Sequence, residues 1–281
     1  MKRWFGRLIL IPILILALAF PALAGALTNY AEGKILDHTL KTASYTPVAP
    51  YIGLSTTTPS QDGSGWTDPT YTGYARKAIT FAAAGGTRTI AQTGVVTFDA
   101  CTAGSSTVTY YGIWDQLATG GNLLAFGALS APKNIVVGNT PSIASGQVTI
   151  TFNAGAIFTS YASTVLDWLF RLQANAQPTN VKLALTTTNP ADDGTGITEP
   201  SGNNYSQLTF NTWNTAASNP RVSTNNGAAT FATPSGSWGN CKQVVIYGDT
   251  NVRFYGTFTA QDIGSGDTVQ YLTTQLSIGV N

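Results

Sequence analysis

Apolar positions along the chain change period from helical to strand-like, and the change happens twice. In SYASTVLDWLFRLQ (160–173), Tyr161, Val165, Leu169 and Leu172 fall at i, i+4, i+8 and i+11, which predicts one buried helical stripe with Ser160 as its N-cap. NYAEGKILDHTLK (29–41) carries a similar helical pattern. Later segments of the module are β-type. YARKAITF (74–81), TVTYYGIW (107–114), NLLAFGAL (122–129) and QVTITF (147–152) alternate or run continuously apolar. They are bounded by turn-forming stretches such as AAAGGT (82–87) and ATGGN (118–122). The expected fold is all-β: two tandem β-sandwich or partly closed barrel modules, each with one short helix near its start. The helix is expected to cover an open end or face of its module.

The two modules are copies of one sequence. Tyr30 and Tyr161, Leu54 and Leu185, Pro59 and Pro190, Gly63 and Gly194, Pro69 and Pro200, and Tyr74 and Tyr205 all lie 131 residues apart. Six coincidences at one offset mark an internal duplication. The register then drifts, as loops of unequal length would cause. GVVTF (94–98) answers GAATF (227–231), and NLLAFGALSA (122–131) answers NVRFYGTFTA (251–260). The expected division is 1–24, 25–155 and 156–281. The join NAGAIF (153–158) is too short for a flexible linker, so the modules should touch.

Residues 1–24 do not belong to either copy. Lys2, Arg3 and Arg7 precede the apolar run Leu8–Phe20, and Ala22-Leu23-Ala24 supplies a small-residue cleavage site. That layout reads as a secretory signal peptide, with a retained membrane anchor as the rival reading. A membrane is therefore expected as a partner only if this segment is kept.

Composition narrows the function. Only 10% of residues are charged, against about 25% in ordinary domains. The net charge is +1 and glutamate is confined to Glu32 and Glu199. Such a chain has no field to hold nucleic acid. One histidine, His38, is read as a satisfied surface or boundary residue, and no nucleophile–base pair is legible. No catalytic residue, metal ligand or cofactor is expected. Asp68 with Glu199, and Asp37 with Asp167, recur at equivalent places and read as parts of the fold. The loops SQDGSG (60–65) and ADDGTG (191–196) read as Asp-Gly turns rather than calcium loops. Cys101 and Cys241 occupy non-equivalent positions and are expected to be two buried thiols, though a bridge between halves stays open. Trp66 and Trp213, in polar surroundings, are the two candidates for ligand contact.

The first copy is similar to a known family. LTNYAEGKILDHTL (27–40), YTPVAPYIGLSTTTPSQDGSG (45–65), GYARKAITFAAA (73–84), YGIWD (111–115) and GGNLLAFGALSAPKNIVVGNTPSIASGQVTITF (120–152) occur in order. They resemble small structural proteins of tailed bacteriophages and prophages, of tail or tail-fibre type. The likeness is close over 27–152 and loose over 158–281, where NNYSQL (203–208) replaces the GYAR step. The resemblance implies a non-enzymatic particle component, on a tail, fibre or capsid exterior, acting through protein–protein contacts. It implies other virion or surface proteins as partners, and it implies no catalytic residue. The alternative is a secreted or surface-displayed carbohydrate-binding protein with a glycan or host-surface receptor. The expected location is the virion, or outside the cell if the leading segment is used. Few charges leave sheet edges poorly guarded, so homo-oligomerisation is expected.

Overall fold

The computed structural model describes residues 18–19, 25–152, 156–216 and 222–280. The proposed signal or anchor segment lies outside the described residues, except that the backbone of Leu18–Ala19 runs parallel to Pro141–Ser142. Among the described residues no helix is long and apolar enough to cross a membrane.

Each module is built around an antiparallel sheet whose centre is a long hairpin. In the first module the order is Ala26–Leu27, Leu123–Val136, Ser105–Trp114, Tyr51–Ser55, Lys77–Ala78. In the second it is Leu208–Thr209, Val181–Thr186, Gly239–Gly248, Asn251–Ile263. Smaller sheets complete each module, such as Thr80–Phe81 with Thr89–Thr93 and Thr149–Thr151, and Val222–Thr224 with Ser277–Gly279. The two copies therefore share strand order, and the described residues form mostly strands with two short helices.

Repeated residues explain the shared order. Gly63 and Gly194 take φ of 83° and 86°, a backbone region that favours glycine, and both sit at the same turn. Next to those turns, Asp62 accepts from the amide and hydroxyl of Ser64, and Asp193 does the same for Thr195. Tyr74 and Tyr205 fasten the central strands. The Leu54 and Leu185 amides each donate to the respective tyrosine hydroxyl at 2.9 Å. The same hydroxyls lie 3.2 Å from Asp68 and 3.0 Å from Glu199. Burial first, then the adjacent carboxylate, raises both tyrosine pKa values. Asp68 and Glu199 are thus turn anchors in matched places.

Four local expectations need correction. The stretch 74–81 is not one strand: Lys77–Ala78 pairs with Tyr51 and Ile52, and Thr80–Phe81 pairs with Gln92 and Thr93. Ile79, buried between them, marks a corner where the chain passes from one sheet to the next. Ser160 is not an N-cap, because helix α2 spans Thr159–Arg171 and its cap is Phe158 with no side-chain hydrogen bond. Leu172 leaves the buried stripe: it ends the helix at φ 58° and is 48% exposed. His38, on helix α1 (Asn29–Thr39), is buried rather than at the surface.

The buried apolar residues of both modules form one continuous cluster. Each helix packs on its own module's hairpin and also on a small sheet of the other module. α1 meets Val222–Thr224 and Ser277–Gly279, while α2 meets Thr80–Phe81 and Thr89–Thr93. The exchange is reciprocal, as in an isologous dimer interface.

Candidate functional site

Three places could carry function: the seam between modules, a cleft on the first module, and the outer edges of the long hairpins.

At the seam, equivalent residues do equivalent work. Asp37 accepts from the Ala216 amide at 3.0 Å, and Asp167 accepts from the Ala84 amide at 3.0 Å. Each helix therefore caps a backbone donor of the opposite module. His38 and Trp168 come directly after Asp37 and Asp167 in the sequence, and their rings meet at 4.5 Å between centroids. Counterparts that touch one another lie on the pseudo-twofold axis. Around them, Thr39 and Tyr161 share a hydroxyl contact at 2.6 Å, and Phe81 packs on Phe170 at 5.4 Å. Arg88 pairs with Asp192 at the rim, its Nε donating at 3.2 Å.

The hydrogen bonds of His38 fix its proton. The Tyr45 amide can only donate, so Nδ1 accepts from it at 3.3 Å. Nε2 then carries the hydrogen and donates to the Asn175 carbonyl at 2.8 Å. Burial lowers the His38 pKa, and the nearby Arg253 charge lowers it further. A folded pKa below the unfolded value of about 6.5 gives stability that is present above pH 6.5 and lost as pH falls through the folded pKa. Thermal stability should therefore weaken on acidification from pH 7 to pH ~5, above the usual carboxylate range. His38→Gln should flatten that stretch of the pH profile. An unchanged profile in His38→Gln would disprove the assignment.

The cleft, about 960 Å³, is walled by Tyr51, Asp68, Tyr74, Arg76, Asp115 and Leu117. Arg76 is buried and organises it. Its Nη1 donates to the carbonyls of Gln116, Ala118 and Gly120 at 3.2, 3.0 and 2.9 Å. Its guanidinium lies 3.6 Å from the centre of the Trp114 ring, and Asp68 stands 3.9 Å away. Arg76 thus pins the connector 115–122 between the two hairpin strands. In the second module that connector shrinks to Asp249 and Thr250. Gln207, the counterpart of Arg76, instead donates to Glu199 at 2.7 Å. The second copy thus lacks both the arginine and the long connector that it pins.

Of the two tryptophan candidates, Trp66 is half-buried and lies next to this cleft. Its indole N–H donates to Asp68 at 2.8 Å, and its ring covers Gly112, where a Cβ would fall 2.5 Å from it. Trp213 is only 5% exposed and donates to the Phe210 carbonyl at 3.0 Å. The two tryptophans are in different modules and form no common surface. Both cysteines are buried free thiols. Among the described residues no group of three or more His, Cys, Asp or Glu is placed to hold a metal ion.

The hairpin edges differ between copies. Beyond Leu129 the first carries Pro132 and Lys133, residues that discourage edge pairing. The second runs Thr257-Phe258-Thr259-Ala260-Gln261, with neither proline nor lysine. Its strand ends the sheet order: residues 156–158 pair with Arg253–Tyr255 on its outer side, and beyond them no described strand lies outside Thr257–Gln261, where the pairing with Gly239–Gly248 is interrupted by a bulge.

Comparison with curated proteins returns no match. A protein-family model described as Podophage GP4 fiber I protein gp80 matches residues 26–151 and matches again at 156–279. The two matches reproduce the two modules, so the chain belongs to the Podophage GP4 fiber I protein gp80 family, as a structural phage fibre protein carrying the family module twice.

Proposed function

We propose that the chain is a non-enzymatic building block on the outside of a phage particle, working through protein–protein contacts that include a second copy of itself. The observation that carries this reading is the open edge of the second hairpin. Thr257–Gln261 is β-prone and uncharged, and its edge has no partner among the described residues of the chain. Backbone pairing there would join two chains about a twofold axis. Few ion pairs would be involved, so salt should weaken the assembly little.

Sedimentation of the protein at low and high salt tests this. The expected result is an oligomer at tens of micromolar, stable to salt, that becomes monomeric on Thr259→Pro. A strict monomer, or an assembly dispersed by moderate salt, would refute it.

A second reading, contact with a surface carbohydrate, draws on the first-module cleft. Tyr51, Tyr74, Asp68 and Asp115 there combine ring faces with acceptors, and Trp66 backs Asp68.

A further inference from the structure

The outer hairpin strands NLLAFGALSA (122–131) and NVRFYGTFTA (251–260) align without a gap, and at one buried position a cation stands where the other copy has a leucine. Leu124 in NLLAF is replaced by Arg253 in NVRFY. Both are buried: Leu124 is 1% exposed and Arg253 is 5% exposed. A leucine serves the fold at this place in one module, so the fold does not require a cation in the other. A buried guanidinium is costly unless its charge is met.

Arg253 is met only in part. Nη1 donates to the Tyr161 hydroxyl at 2.8 Å, and the guanidinium lies 4.7 Å from that ring's centre. Nε is buried without an acceptor. No Asp or Glu lies within 4 Å among the described residues, and the remaining segments contain neither residue type. Asp249, whose charge Arg253 influences, is turned toward the Thr179 and Asn180 amides. The backbone makes room for the cation as well. A Cβ on Gly248 would fall 1.9 Å from Arg253 Nε.

Arg253 lines a hollow of about 260 Å³, with Ser160, Tyr161, Thr164, Asn175 and Asn251 among its walls. Asn175 Nδ2 is a second buried donor without an acceptor. The start of α2 borders the same hollow; its cap Phe158 makes no side-chain bond, and its first residue Thr159 donates to the Asp192 carbonyl at 2.7 Å and to the Asp192 carboxylate. Ser160, Thr164 and Asn251 at its mouth are exposed. The wall therefore offers one positive charge, the first turn of a helix, the buried Asn175 amide, and several neutral hydroxyl and amide groups.

We propose that this hollow binds a singly charged carboxylate on a small polyhydroxylated molecule, an acidic sugar of hexuronate type. The carboxylate would face Arg253 and Asn175, and the sugar hydroxyls would meet Ser160, Thr164 and Asn251. A lone guanidinium matches one negative charge better than the double charge of phosphate. This inference goes beyond the assembly reading above and stands whether or not the chain self-associates.

Calorimetric titration of the intact protein with sodium glucuronate, glucose and inorganic phosphate tests it. Glucuronate should bind saturably, with glucose and phosphate each weaker by about tenfold or more. Arg253→Leu restores the residue of the sister copy; it should fold and lose glucuronate affinity by about tenfold or more. Asn175→Asp places a carboxylate at the hollow and should lose binding equally, which keeps the test decisive if Arg253→Leu misfolds. Absence of saturable glucuronate binding would overturn the proposal. Equal affinity for glucose, tighter binding of phosphate, or affinity unchanged in either folded variant would overturn it too.

Discussion

Arg76→Ala is expected to destabilise the protein by about 2–4 kcal/mol and to loosen the connector 115–122. One side chain satisfies the carbonyls of Gln116, Ala118 and Gly120 and stacks on Trp114. Its removal strips three acceptors of a charged donor and leaves a void beside the Trp114 ring. Arg76→Lys should recover only part of the loss, because an ammonium cannot present a planar fork to both ring and carbonyls. Denaturant unfolding gives the cost, and proteolysis should cut first within 115–122 in the alanine variant. The counterpart Gln207→Ala should cost much less, since its one bond goes to Glu199 at 2.7 Å. Equal costs for the two sites would show that the connector is not what Arg76 holds.

Trp168→Ala should have a larger effect, about 3–5 kcal/mol, and should change the form of unfolding. Trp168 is 4% exposed and packs against His38 at 4.5 Å and Tyr45 at 5.7 Å, both from the other module. With the seam intact, one continuous core unfolds as a unit. With the tryptophan gone, the modules should part before either unfolds. Scanning calorimetry should then show two transitions in place of one. A single transition, shifted but not split, would mean that Asp37, Asp167 and Phe170 hold the modules together without it.

The duplication and the hairpins are readable in the sequence because their signals are local. Leu54 with Leu185 and Gly63 with Gly194 recur at one spacing, and glycine is needed where φ is positive. The seam is not readable. Asp37 and Asp167 are visible as a recurring pair on two helices, which points to a role in the fold. Nothing in a helical period says whether a side chain caps its own module or the neighbouring one. Arg76 is part of a recognisable step, yet its partners are backbone carbonyls, which have no sequence signature. Trp213 sits among Asn and Thr and reads as exposed, but the polar neighbours face outward while the ring turns into the core. Arg253 escapes a reading of motifs although its signal exists. A cation in place of a leucine, between Val252 and Phe254, can be seen by aligning the copies.

The join at 153–158 converts what would be a bimolecular encounter into an intramolecular one. Two separate chains meeting through the Asp37 and Asp167 contacts would depend on their concentration. Two modules on one chain face each other at an effective concentration in the ~millimolar range for a short tether. Such a seam stays closed at any dilution, so a particle can carry the pair in fixed one-to-one ratio. It also frees each copy to change without waiting for a matching change in its twin, as the eight residues of 115–122 against the two of 249–250 already record.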